Sequence, residues 1–136
     1  MEQKLRYTLG KAERLKSRKA IEQLFKEGKS ISLFPMRIIY KISPPSAILK
    51  GELLQAGFTA STKYFKKATD RNRIRRLMRE TYRLQKNELQ QNRSGKTNQL
   101  TIFFIYTGKE LPEFTLVFDK MKLALQRLIH LTGESK

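Results

Sequence analysis

The chain has 136 residues, of which 39% are apolar, and 29 Lys+Arg against 12 Asp+Glu leave a net charge of +17. That length and apolar content suit one domain spanning 1–136 with a single modest core, and the absence of Cys excludes both a disulfide framework and a thiolate zinc site. A charge of this sign attracts polyanions, and because the basic residues are spread along the chain instead of lining one amphipathic helix, nucleic acid fits better than a membrane surface.

Residues 1–16 are basic, with Lys4, Arg6, Lys11, Arg14 and Lys16, and lack periodicity, so 1–13 is expected to be a loosely ordered arm. No apolar run suited to secretion opens the chain and no segment approaches a membrane span, which points to the cytoplasm. Ser17 offers an N-cap, Ala20, Ile21, Leu24 and Phe25 recur at helical spacing, and Gly28 stands where a C′ glycine would end the helix. From Met36 the period becomes two, with Met36, Ile38, Tyr40 and Ile42 on one face and Arg37, Ile39 and Lys41 on the other. Ser43-Pro44-Pro45-Ser46 breaks this strand, and an extended pattern resumes from Leu53 to Ser61, so the two strands are expected to pair as antiparallel neighbours.

A lysine-rich loop then leads to a helix expected from about Arg71 toward Gln91, with a turn at Asn92-Arg93-Ser94-Gly95-Lys96. At ~100° per residue Leu77, Met78, Thr81 and Tyr82 share the side of Ile74, while Arg75, Arg76, Arg79 and Arg83 gather on the far side with Asn72. One face can pack and the other can hold phosphates, because the planar guanidinium donates paired hydrogen bonds to an anionic group. A bare solvated face would carry like-charge repulsion along the helix, which favours a bound anion. Leu100 to Tyr106 is a continuous apolar run suited to an interior strand. After Pro112, the residues Phe114, Val117, Phe118, Met121, Leu125, Leu128 and Leu131 form the stripe of a last amphipathic helix. The order is helix, two or three strands, helix, strand, helix.

The acids are scattered, Asp70 and Glu80 lie among arginines, and His130 stands alone, so no catalytic or metal-holding constellation is visible and any chemistry must come from a partner. On periodicity alone Phe25 and Tyr40 suit a core as well as a base-stacking platform.

The stretch Arg14-Leu15-Lys16-Ser17-Arg18 through Leu24-Phe25-Lys26-Glu27-Gly28, the strand Gly57-Phe58-Thr59-Ala60-Ser61, and Arg71-Asn72-Arg73-Ile74-Arg75-Arg76-Leu77 through Arg79-Glu80 resemble the bacterial ribonuclease P protein subunit in order and spacing. The Arg-Asn-Arg motif with its basic helix is the most specific part of this resemblance. It implies a small α/β sandwich whose parallel strands flank the motif helix through a left-handed crossover, against the usual hand. It also implies a role beside a catalytic RNA that removes the 5′ leader of precursor tRNA, with Mg²⁺ held mainly by that RNA and the substrate, and no obligatory protein partner. By the same resemblance Arg71, Asn72, Arg73, Arg75, Arg76 and Arg79 face RNA, with Lys63, Lys66 and Lys67 in the loop before them. Phe25 and Tyr40 fall on aromatic positions of the leader cleft. The chain departs from the family pattern at Ile21, where an aromatic is common, and at Thr62-Lys63 and Tyr64-Phe65 in the loop. The alternative is a ribosomal or other structural RNA-binding protein; a DNA-binding module lacks the second helix that a helix-turn-helix needs.

Overall fold

A computed structural model of the chain describes residues 14–15, 17–43, 54–93 and 98–133. The basic arm over 1–13, the Pro44-Pro45 break and most of the turn after Arg93 lie outside the described residues. The elements are α1 (Arg18–Glu27), β1 (Lys29–Leu33), β2 (Met36–Ser43), β3 (Leu54–Ala60), α2 (Ala68–Gln85), α3 (Asn87–Arg93), β4 (Gln99–Tyr106) and α4 (Phe114–Gly133).

Ser17 caps α1 as its side chain predicts, the hydroxyl accepting from the Ala20 N–H at 3.3 Å. Gly28 ends the helix for a different reason from the one expected. Its φ of −75° and ψ of 161° are extended, not left-handed, and a Cβ there would meet the Leu24 carbonyl at 2.5 Å and the Ile39 side chain at 2.8 Å. The glycine lets the chain turn from α1 straight into β1 beneath the sheet.

The four strands lie in the order β1-β2-β4-β3. The expected antiparallel pairing of the second and third strands is therefore corrected: β4 lies between them, antiparallel to β2 and parallel to β3. Period two assigns faces but not neighbours, and the apolar run of β4 takes the central place because both of its faces are covered. The short β1 pairs with β2 through the Phe34-Pro35 turn.

On one face, Met36, Ile38 and Tyr40 of β2 join Leu100, Ile102, Phe104 and Tyr106 of β4 beneath α2, α3 and α4. Ile74, Met78, Thr81 and Tyr82 are the buried side of α2, as the helical spacing predicts. Phe58 stacks on Phe104 at 5.4 Å, and Tyr82 closes on both rings at 5.5 and 5.6 Å, so α2 is locked to the parallel pair by an aromatic trio. From α4 the core receives Val117, Met121, Ala124, Leu125 and Leu128, whereas Phe114 and Leu131, expected in the same stripe, are exposed at the two ends. The single helix expected over 71–91 is two: α2 begins three residues earlier, at Ala68, and ends at Gln85, and α3 carries Leu89 into the core. The Gln85 amide donates to the Thr81 carbonyl at 3.2 Å and the Phe118 carbonyl at 3.0 Å, fastening the end of α2 to α4.

The opposite face carries α1. Leu15, Leu24, Ile39 and Phe103 form a smaller cluster with Ala20, Ile21 and Ile105 packed against it. Arg14 and Leu15 run beside Ala56 of the edge strand β3, the Leu15 N–H donating to the Ala56 carbonyl at 2.9 Å, so the lead-in is fixed at this point. Gly57 permits the arrangement, because a Cβ there would lie 2.6 Å from the Phe103 ring.

Candidate nucleic-acid interface

The interface has two parts, the polar side of α2 with its preceding loop and, on the other face of the sheet, the row that α1 leaves uncovered. Parallel strands β3 and β4 end at Ala60 and Tyr106, so the loops that follow them, 61–67 and 107–113, emerge at one sheet edge, the usual place for a site in such a pair.

Within loop 61–67, Lys63, Lys66 and Lys67 are exposed while Phe65 is buried against Tyr106 at 5.9 Å. Ser61 starts the turn, its hydroxyl accepting from the Lys63 N–H at 3.1 Å. Arg71 completes it: Nη1 donates to the Phe65 carbonyl at 2.8 Å and the Lys66 carbonyl at 2.9 Å. The first residue of the Arg-Asn-Arg motif thus organises the lysine loop, a role that no periodicity reveals. Arg71→Ala should lower stability by about 1 to 3 kcal/mol through the lost charge-assisted bonds, whereas Arg73→Ala should stay within about 0.5 kcal/mol of the parent. Urea unfolding of the two variants separates these roles, and equal stabilities would show that the Arg71 contact is dispensable.

Along α2, Asn72, Arg73 and Arg76 are exposed and Arg75 and Arg79 half-buried. Arg75 is turned along the helix to donate to the Asn72 side-chain oxygen. Arg83 pairs with Glu80, holding that carboxyl below its usual range, mainly through the hydrogen bond, and raising the guanidinium. A carboxyl depressed in the fold contributes stability above its ordinary pKa and loses it as pH falls through the depressed value. For Arg73, Arg76 and Arg79 no hydrogen bond or ion pair is found among the described residues, so their donors have no acceptor among those residues.

The sheet face beneath α1 supplies the second feature. Register places Thr59, Ile105, Arg37 and Ser32 in one row across the four strands, next to the row of Gly57, Phe103, Ile39 and Ser30. The second row lies under α1, and the first is its open neighbour, with Arg37 exposed and Ile105 and Thr59 half-buried. Arg37 Nε donates to Ser30 Oγ at 3.1 Å, which lays the guanidinium along the face. Phe25 is 50% exposed and meets Phe103 edge-on at 5.3 Å, a ring supported on one side and open on the other.

Phe25 and Tyr40, expected together in one cleft, are on opposite faces of the sheet. Tyr40 is 8% exposed and packs in the larger core with Met36, Ile38, Ile102 and Phe104. Its neighbour Ile39 is the β2 residue that faces α1 and Phe103. Beside Phe25, sequence reasoning missed Arg37 and Ile105, although the strand's period of two already put Arg37 and Ile39 on the face away from Tyr40.

Among the described residues no three Asp, Glu, His or Cys side chains gather where they could hold a metal. No helix of the described residues is long and apolar enough to cross a membrane.

A family profile described as Ribonuclease P matches residues 9–129. The chain is 34% identical over 122 residues to the ribonuclease P protein component of Porphyromonas gingivalis, covering 90% of this chain and 87% of that protein. It is 30% identical over 130 residues to the protein of the same description from Chlorobium phaeobacteroides, covering 90% and 86%. Among solved structures, the RNase P protein of Staphylococcus aureus superposes with a TM-score of 0.62 at 18% identity, over 87% of this chain and 96% of that one, which speaks to the fold alone. The RNase P protein from Thermotoga maritima gives 0.60 at 25% identity, over 85% and 96%. With a basic helix behind a fastened lysine loop on a matching fold, this chain belongs to the ribonuclease P protein family, a subunit of the ribonucleoprotein endoribonuclease that processes tRNA 5′ ends.

Proposed function

We propose that, within ribonuclease P, the α2 arginines and the lysine loop grip the catalytic RNA, while the open sheet row beside α1 receives the single-stranded 5′ leader of precursor tRNA. The observation that carries this reading is the combination on one surface of a half-exposed ring, Phe25, an exposed guanidinium, Arg37, and half-buried apolar residues, Ile21 and Ile105. A strand of unpaired nucleotides needs those two elements: a stacking face for bases and cations for phosphates. The family to which the chain belongs makes an RNA the enzyme's second component, and a +17 protein offsets repulsion between that RNA and the substrate. Mg²⁺ belongs in this reading to the RNA and substrate, and the protein acts by binding and positioning, in the cytoplasm with the other tRNA-maturing machinery.

The reading makes the leader's contacts separable from those of the tRNA body. In the holoenzyme, Phe25→Ala and Arg37→Ala should each weaken precursor tRNA binding by about 1 to 3 kcal/mol and leave mature tRNA binding unchanged, since the mature molecule lacks a leader. Paired affinity measurements check this. Equal losses for both ligands would place the leader elsewhere.

A further inference from the structure

Tyr64 lies outside every role derived so far. Its ring is 40% exposed in the loop between β3 and α2, next to Phe65, which is buried. Two ammonium groups from different parts of the chain stand over it, Lys63 Nζ at 5.5 Å and Lys109 Nζ at 5.6 Å from the ring centroid. Lys63 precedes Tyr64 directly; Lys109 arrives from the loop after β4.

Both loops are fixed. Phe65 anchors the first against Tyr106, and Arg71 binds the carbonyls of Phe65 and Lys66. The Tyr106 hydroxyl donates to the Glu110 carbonyl at 2.6 Å and so pins the second loop beside Lys109. Anchors on both sides therefore present an exposed aromatic ring with two cations gathered on it. Such a gathering repels itself unless an anion joins it, and a ring flanked by flexible lysines suits a nucleotide, its base on the ring and its phosphate on the ammonium groups.

We infer that Tyr64, Lys63 and Lys109 form a stacking site for one unpaired nucleotide of the catalytic RNA, beside the α2 arginines but separate from them. The choice of that RNA over the leader follows from the chain: loop 61–67, which carries Tyr64, runs directly into α2, whose arginines the reading above gives to the catalytic RNA. On binding, a base covers the open side of the ring and the lysines swing from the ring to the phosphate, which no core contact opposes. The inference rests on the RNA-binding reading given above.

The test is titration of the cognate catalytic RNA with the full-length chain at several salt concentrations. Tyr64→Leu, which keeps bulk but removes the π face, should weaken binding by about 5- to 140-fold with an unchanged salt slope, while Tyr64→Phe should stay within about twofold. Lys109→Ala should lower the salt slope by roughly 0.7 to 0.9, the signature of one phosphate contact. Because the chain contains no Trp, Tyr64→Trp provides a single reporter, and stacking should quench its emission when the RNA is saturating. The inference is overturned if Tyr64→Leu binds as tightly as the parent, if the Tyr64→Trp emission does not change on saturation, or if only precursor tRNA affinity responds. Failure of the unsubstituted chain to bind the RNA at all would instead overturn the functional reading itself.

Discussion

Replacing Arg73, Arg76 and Arg79 together with Ala should weaken binding to the catalytic RNA by at least roughly a hundredfold, with the fold intact. Each guanidinium has no hydrogen-bond or ion-pair acceptor among the described residues, so its donors are available to phosphates, and a charge-assisted bond of this kind is worth about 1.5 to 3 kcal/mol. The three losses need not sum, because residues three apart on a helix share one surface. The salt dependence is the more specific readout: the slope should fall by about 2 to 3 units as the phosphate contacts disappear. Stability should change by less than about 1 kcal/mol, and relief of like-charge repulsion along α2 pushes it upward. A large fall in melting temperature with preserved affinity would make these arginines structural.

Tyr40→Ala should act in the opposite way, on the fold first. The ring is buried among Met36, Ile38, Ile102 and Phe104, and truncating a buried aromatic leaves a cavity that costs about 3 to 5 kcal/mol. A protein of this size has only about 5 to 15 kcal/mol in reserve, so the variant should unfold at much lower denaturant. Whatever fraction remains folded should bind precursor and mature tRNA with the same ratio as the parent, since the side chain points away from the row beside α1. A selective loss of precursor affinity at unchanged stability would return Tyr40 to the leader path.

The contrast between Tyr40 and Ile39 shows how much the sequence could reveal. Alternation placed Tyr40 with Ile38 and Ile42, the face that is in fact the core, while the resemblance assigned it to a cleft; in a strand a displacement of one residue exchanges the two faces. Where periodicity and burial coincide, the sequence is sufficient: Ile74, Met78, Thr81 and Tyr82 are the buried side of α2, and the apolar run Leu100 to Tyr106 is the central strand. Sheet order was not legible, because the pattern of β2 and β3 is satisfied equally by direct pairing or by an intervening strand. The third strand that the order allows before α2 is β1, which the pattern does not locate because five residues with only Ile31 and Leu33 apolar carry a weak alternating signal. Roles that depend on loop shape were hidden for a further reason. Arg71 reaches carbonyls five and six residues back, and Lys109 meets Tyr64 only because the parallel pair brings two distant loops to one edge.

Reconstitution decides whether this chain serves ribonuclease P by binding RNA while the cleaving groups lie on its RNA partner. Precursor tRNA cleavage is measured at low Mg²⁺ for rigorously RNA-free protein, for the catalytic RNA alone, and for the two combined. Leader removal is expected only from the combination, because the protein's charge offsets repulsion between RNA and substrate. Metal-dependent cleavage by the RNA-free protein, or a catalytic RNA indifferent to its addition, would contradict that expectation.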